Sequence, residues 1–162
     1  MDNQLAELYK KIANKINSMI PIDWIELYYL GEVEKGKMSW SSVFYFVESG
    51  STYFIKSHEI PTKYGVSQQI YDELLSELDE LLLNLYNCFQ QNDQQLWEQV
   101  SLMLSSDGKF NIDFLYDIMN EDDGGQLKRE IVWAYETFGF IPNDGIYSRK
   151  VFDKYIKEKT SQ

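Results

Sequence analysis

Residue types that build many functional sites are scarce in this chain of 162 residues. It contains one cysteine, Cys88, and one histidine, His58. A single cysteine excludes an internal disulfide bond and any metal site that needs several thiolates. A catalytic triad or a histidine-rich zinc site would have to be built around His58 alone. The nine glycines form no phosphate-binding loop. We therefore expect no catalytic residue, no metal and no cofactor.

Long apolar runs are also absent. The run at residues 43–47 is far shorter than the roughly 20 residues that a membrane span needs. The residues after Met1 show no basic segment followed by a short apolar run, the pattern that marks a signal peptide. We therefore expect no membrane partner and a cytoplasmic location.

Basic residues are outnumbered. Fifteen Lys and Arg against 26 Asp and Glu give a formal net charge of −11, which repels duplex DNA and anionic membranes. We therefore expect no direct contact with nucleic acid. Residues 64–127 hold thirteen acidic residues and one basic residue, Lys109, for a formal charge of −12. Two interpretations stay open at this point: an ordinary solvated surface, and a negative surface that attracts and docks a basic partner.

The hydrophobic periodicity predicts an α+β fold in which helices pack on a single antiparallel sheet, in the order α-βββ-α-ββ-αα. Asp107-Gly108 is a strong hairpin signal, and Ser67 is a good N-cap for the longest helix. We predict one domain, residues 1–162. The predicted helices lie at 4–20, 68–91 and 127–138, with a last one capped by Ser148 and ending at Lys157. The predicted strands lie at 25–33, 40–47, 52–55, 100–104 and 110–116.

Acidic residues offer the only candidate chemistry. Asp113 and Asp117 are four residues apart on a predicted strand and would share its non-core face, so with the acids that follow they could bind a hard cation. The spacing does not fit an EF-hand loop. Cys88 falls in the apolar stripe of the longest helix, where a buried thiol is expected. His58 is expected in a surface loop.

Aromatic residues are abundant, with four Trp, 12 Tyr and nine Phe. The set of Trp40, Tyr45, Tyr53, Trp133 and Tyr135 cannot all face a core. Exposed aromatic side chains beside acidic ones are typical of a protein interface.

Short motifs follow one another in order along residues 5–142. They are Ile12-Ala13-Asn14-Lys15-Ile16 with Ile20-Pro21 and Trp24; Gly31-Glu32-Val33 with Phe44-Tyr45-Phe46; Ser57-His58-Glu59-Ile60-Pro61; Gly108-Lys109-Phe110-Asn111-Ile112-Asp113-Phe114 with Tyr116-Asp117; and Arg129, Trp133, Tyr135, Gly139 and Pro142. Together they resemble the YezG-like antitoxin (immunity protein) family of Gram-positive bacteria. One departure is Leu115, between Phe114 and Tyr116, where a polar residue would be expected.

The resemblance implies a cytoplasmic, non-catalytic protein that binds and neutralises a cognate toxin, commonly a nuclease domain on a polymorphic toxin exported by the type VII pathway. A nuclease surface attracts phosphates and is therefore basic, so an acidic protein can cover it. We predict stoichiometric occlusion and leave the oligomeric state open. The first predicted patch for docking is Asp113, Asp117, Glu121, Asp122 and Asp123, and the second predicted patch is Glu73, Glu77 and Glu80. The alternative is a metal-dependent enzyme that uses Asp113, Asp117 and Asp122.

Overall fold

The computed structural model describes all 162 residues, and its helices and strands follow one another in the order that the hydrophobic periodicity predicts. They divide into two units, Met1–Asp117 and Ile118–Gln162. The first unit contains helices α1 (Asp2–Met19), α2 (Ile60–Tyr64) and α3 (Gln68–Gln91) and strands β1 (Trp24–Val33), β2 (Trp40–Glu48), β3 (Phe54–Lys56), β4 (Gln99–Ser105) and β5 (Phe110–Leu115). The second unit contains α4 (Gly125–Phe138) and α5 (Tyr147–Thr160). The predicted α+β class with one antiparallel sheet is confirmed.

The sheet has the strand order β3-β2-β1-β4-β5, and every neighbouring pair is antiparallel. The central strand β1 pairs with β2 at Trp24 and along residues 26–33, with a register shift between Trp24 and Glu26, and with β4 along residues 26–32. Helices α1 and α3 pack on each other, and their apolar sides cover one face of the sheet. The core on this helix-covered face includes Ile12, Ile16, Leu27, Phe44, Phe46, Leu78, Leu82, Leu85, Trp97 and Leu102.

The long helix α3 has the boundaries that its sequence predicts. Ser67 is its N-cap, because the Ser67 side chain accepts a hydrogen bond from the N–H of Ile70 at 3.4 Å. Leu78, Leu82 and Leu85 recur at three- and four-residue steps and are completely buried. Each contributes roughly 1.5–3 kcal/mol of burial free energy, which anchors the helix to the sheet.

Several boundaries differ from the prediction. The third strand begins at Phe54 rather than at residue 52, and β5 ends at Leu115 rather than at residue 116. The additional helix α2 has Pro61 in its first turn, where proline is tolerated, and is followed by the cap residue Gly65 in the left-handed conformation. The prediction that Ser148 caps the last helix is wrong. Helix α5 already begins at Tyr147 after Ile146 at the cap position, and it continues beyond Lys157 to Thr160.

The second unit is a pair of helices held by aromatic and ionic contacts. The rings of Tyr135 and Phe152 meet edge to face with centroids 5.1 Å apart. Lys159 Nζ lies 2.5 Å from a carboxylate oxygen of Glu136. Helix α4 ends at Phe138 and is capped by Gly139, whose left-handed backbone lets its N–H bond to the Tyr135 carbonyl at 2.9 Å. None of the five helices is both long and apolar enough to span a membrane.

A small polar network is buried between α3 and the sheet. Tyr29 Oη lies 2.8 Å from Ser42 Oγ, and Ser42 also hydrogen-bonds the Asp79 carboxylate. The other oxygen of Asp79 is buried without a partner. Burial raises the pKa of Asp79, and the bond to Ser42 opposes that rise. Gly31 leaves the room this network needs, since a Cβ there would lie 2.5 Å from Leu82 Cδ1 and 2.8 Å from Tyr29 Oη.

Candidate functional site

The second predicted patch lies along the outer side of α3. Glu73, Glu77 and Glu80 are all exposed, and their spacing of four and three residues places them on one side of the helix. The charge of Glu77 is offset, because its carboxylate lies 2.5 Å from Nζ of Lys15 on α1. An ion pair this exposed adds little stability. The structure thus presents these three glutamates together, with one of them already paired.

Asp113 is exposed in the middle of β5 and faces away from α3. Its neighbours Ile112 and Phe114 pack against the core of the helix-covered face. Because side chains alternate along a strand, Asp113 lies on the opposite face of the sheet. Asn111 donates a hydrogen bond to Asp113 Oδ2 at 3.1 Å. The structure therefore does not bring Asp113 together with the second predicted patch.

Asp117 lies beyond the end of β5. Its backbone has a φ of +52°, a left-handed conformation that aspartate tolerates better than most residues. Its carboxylate pairs with Lys35, in the turn that follows β1. Because the chain turns after Leu115, Asp113 and Asp117 do not lie on one strand as their spacing predicts.

The other three acids of the first predicted patch belong to the loop before α4. Glu121 and Asp122 are exposed. Asp123 accepts hydrogen bonds from the N–H of Gly125 at 2.6 Å and from Arg129 at 2.9 Å, and its side chain is only 12% exposed. The Gly125 N–H, together with the positive charge of Arg129, holds the pKa of Asp123 below its usual range. Asp123 thus fixes the start of α4, and Glu121 and Asp122 remain as surface acids.

Two acids of the −12 segment point inward, which the sequence does not reveal. Asp79 belongs to the buried network with Ser42, and Glu98, just before β4, is 4% exposed. The formal charge of the segment therefore overstates the charge that it presents to a partner. The inward orientation of Asp79 could have been suspected from the sequence, because Asp79 is a polar residue within an apolar stripe, between Leu78 and Leu82.

The carboxylates do not support the alternative of a metal-dependent enzyme. No group of three or more His, Cys, Asp or Glu side chains in the chain is arranged to hold a metal ion. Asp117 is instead paired with Lys35. Cys88 is buried in α3, with Sγ 3.7 Å from Oε1 of Gln4. His58 is exposed in the short turn between β3 and α2.

The motif Ser57-His58-Glu59-Ile60-Pro61 joins β3 to α2. Ser57 Oγ is buried and accepts a hydrogen bond from the N–H of Phe44 on β2 at 3.2 Å. The Glu59 carboxylate accepts one from the N–H of Lys56 at 3.3 Å, and Ile60 is completely buried. These contacts give the motif a structural role, namely fixing the exit from the sheet.

Exposed apolar side chains collect around β5, which sequence reasoning missed. Phe110, Leu115 and Tyr116 are 43%, 48% and 37% exposed. In the sequence, Phe110 and Tyr116 resemble core residues of an alternating strand, whereas Leu115 already falls on the predicted non-core face. Only the strand order shows that β5 lies at an edge. Among the aromatic candidates, Trp40 and Tyr53 are exposed, as are Met38 and Tyr147, whereas Tyr45 and Trp133 are buried.

A family model and three known proteins are similar to this chain over most of its length. Residues 5–152 match the family model described as "Immunity protein YezG-like". The chain is 36% identical to "Immunity protein YezG" of Bacillus spizizenii over 156 residues, which are 95% of this chain and 94% of the relative. It is 29% identical to "Type VII secretion system protein EsaG" of Staphylococcus aureus over 160 residues, 97% of this chain and 96% of that protein. It is 33% identical to "Immunity protein YezG" of Bacillus subtilis over 142 residues, 86% of this chain and 91% of the relative.

Proposed function

Because this chain belongs to the family of YezG-like immunity proteins, we propose that it neutralises one cognate toxin, a basic nuclease domain, by binding and covering it in the cytoplasm. Its role is that of an immunity protein, and it performs no chemistry itself. The relative named as a type VII secretion system protein supports a toxin exported by that route. The family match extends across both units, which supports residues 1–162 acting as one functional domain.

The observation that carries the nuclease assignment is the concentration of negative charge. The segment 64–127 has a formal charge of −12 in a chain of −11, and most of its acids are exposed. A nuclease must attract phosphates and so presents Lys and Arg near its active site. A surface of opposite charge accelerates encounter with such a partner and selects against acidic ones.

Occlusion is stoichiometric, so one copy of this chain is consumed for each toxin covered. The exposed acids that serve it are Glu73 and Glu80 on α3, Asp113 on β5, and Glu121 and Asp122 before α4. Asp117 and Glu77 contribute less because each is paired with a lysine. Asp123 acts indirectly by fixing the loop that carries Glu121 and Asp122.

Capture followed by reconstitution tests the proposal. Tagged protein is incubated at low salt with extract of the cells that encode it, and bound proteins are eluted with a salt gradient and identified. We expect a basic toxin domain that, once purified, cleaves DNA or RNA and is silenced by an equimolar amount of this chain. A captured toxin without nuclease activity would refute the nuclease assignment, and failure of this chain to inhibit any captured toxin would refute neutralisation.

Charge reversal then tests the acidic surface. The pairs Asp113→Lys/Asp117→Lys and Glu121→Lys/Asp122→Lys should slow association by about tenfold or more at low salt, with a smaller effect at high salt. Asp123 is left intact because its reversal would disturb α4. Glu7→Lys/Asp23→Lys is the matched control, since both residues are exposed and outside the acidic segment. Unchanged inhibition at physiological salt by both reversed proteins would remove the first predicted patch from the interface.

A further inference from the structure

The two edges of the sheet are built differently. At one edge, β3 is only three residues long and ends at Lys56, a residue type that discourages pairing with another strand. The Lys56 N–H is occupied by the Glu59 carboxylate at 3.3 Å. At the other edge, β5 has six residues, Phe110–Leu115, with no proline or lysine, and pairs with β4 without a register shift. The β3 edge is therefore short and ends in a lysine, whereas the β5 edge is longer and its one charged side chain is Asp113.

Strand β5 presents unused backbone groups along its outer side. The N–H of Ser105 donates to the carbonyl of Lys109 at 3.0 Å. Because hydrogen-bonded pairs alternate in an antiparallel ladder, Asn111 and Asp113 also direct their backbone groups toward β4. Residues 110, 112 and 114 then direct their N–H and C=O groups outward, where no group of the chain bonds to them.

Side chains on the two faces of this edge differ in chemistry. On the helix-covered face, the partly exposed ring of Phe110 lies 5.9 Å from the ring of Tyr9 on α1, and Tyr116 follows the strand with 37% exposure. On the opposite face, Asp113 is exposed at mid-strand beside Asn111. An added strand would therefore meet aromatic side chains on one face and a carboxylate on the other.

We infer that β5 is a docking edge, to which an extended segment of a basic partner protein adds as a sixth strand. The segment alternates apolar residues, which contact Phe110 and Tyr9, with Lys or Arg, which faces Asp113. Strand addition draws affinity from main-chain hydrogen bonds and specificity from alternate side chains. A second copy of this chain is disfavoured as the occupant because each copy has a net charge of −11. The basic chemistry of the partner rests on the proposed function.

Short peptides test the edge directly. The probe is a peptide in which valine alternates with lysine. Its controls are a valine–glutamate peptide and a valine–lysine peptide N-methylated at every amide, so that neither edge of the control can donate a hydrogen bond. Binding is measured by calorimetry, and amide hydrogen exchange locates it. We expect the lysine peptide to slow exchange at the Ile112 and Phe114 amides, and both controls to bind at least about tenfold more weakly.

Ile112→Pro supplies the matching change in the protein. Proline is tolerated at an edge position whose N–H faces outward, so the pairing with β4 is kept while one outward donor is removed. Ile112→Ala is the control, since it also loses packing at the half-buried Ile112 but keeps the N–H. We expect at least about tenfold weaker peptide binding for the proline variant and less than about threefold for the alanine variant. If the proline variant does not fold, the N-methylated peptide alone decides.

Three results would overturn the inference: amides at 112 and 114 that already exchange slowly in the free protein, equal binding of the N-methylated or glutamate peptide, and unchanged binding to the proline variant. A dimer by sedimentation that protects these amides without peptide would replace the basic partner by a second copy. The peptide result is independent of any toxin. If wild type and Ile112→Pro neutralise the toxin equally well, the proposed function stands and the docking edge is refuted. If the peptide binds as expected and no toxin is neutralised, the docking edge stands and the proposed function is refuted.

Discussion

Replacing Gly31 with alanine tests how tightly α3 is packed on the sheet. Gly31 lies in the central strand, and an added Cβ would be 2.5 Å from Leu82 Cδ1, 2.8 Å from Tyr29 Oη and 3.0 Å from Val100 Cγ1. All three side chains are buried, so none can move into solvent. Displacing the Tyr29 hydroxyl would also strain its 2.8 Å bond to Ser42.

These contacts determine how much Gly31→Ala should change the free energy of unfolding. Alanine in a strand interior gains about 0.5–1 kcal/mol over glycine from backbone entropy, whereas forcing an extra methyl group into a packed core costs about 1–3 kcal/mol. The strained hydrogen bond adds about 1 kcal/mol. We expect Gly31→Ala to lower the free energy of unfolding by about 2 kcal/mol.

A double-mutant cycle identifies the cause. Leu82→Val removes the Cδ1 atom that the new Cβ would meet, so the loss in Gly31→Ala/Leu82→Val should be smaller than the sum of the single losses by at least about 0.5 kcal/mol. Gly50→Ala is the control, since Gly50 has a φ of +82° with no atom near its Cβ position, and its cost arises from the backbone. It should show no coupling with Leu82→Val. Urea unfolding measures all six proteins, and a stabilising or uncoupled Gly31→Ala would refute the packing argument.

The remaining predictions concern titratable groups and metals. Because burial raises the pKa of Asp79 in the folded protein, the stability of the wild type relative to Asp79→Asn should fall as pH rises above the unfolded-state pKa of about 4; urea unfolding across a pH series checks this, and a constant difference would contradict it. Asp123→Ala should lower stability by about 1–3 kcal/mol at neutral pH, because the variant loses the bonds to Gly125 and Arg129. Since the folded pKa of Asp123 is depressed, its contribution should vanish as pH falls through that folded pKa, as a thermal melt at each pH would show. Adding Mg²⁺, Mn²⁺ or Ca²⁺ should leave the Tm unchanged, and a rise of more than about 2 °C would return the carboxylates to consideration as a metal site.

The sequence predicts the elements well because local patterns determine them. The apolar stripe of α3, the cap at Ser67 and the Asp107-Gly108 turn between β4 and β5 act through neighbours in the sequence. The strand order could not be predicted in the same way. The pairing of β1 with β4 joins residues 26–32 to residues 99–105, and no local pattern specifies that contact.

The candidate site was predicted less completely for the same reason. Exposure of Glu73 and Glu80 follows from helical periodicity, which is a local property. The inward orientation of Asp79 depends on Ser42, 37 residues earlier, and the pairing of Asp117 depends on Lys35. The status of β5 as an edge depends on the whole sheet, so the aromatic side chains along it could not be recognised as exposed.

The central position of β1 has a consequence for synthesis on the ribosome. Strands β1, β2 and β3 can pair as soon as residues up to Lys56 have emerged, but the other side of β1 stays unpaired until β4 follows the 24 residues of α3. During that interval the nascent chain exposes a long strand that includes Leu27 and Tyr29, both completely buried in the finished protein. Non-local strand pairing is slow to form and leaves such edges open to aggregation. We therefore expect substitutions that weaken α3 to lower the yield of folded protein by more than the change in its free energy of unfolding would explain.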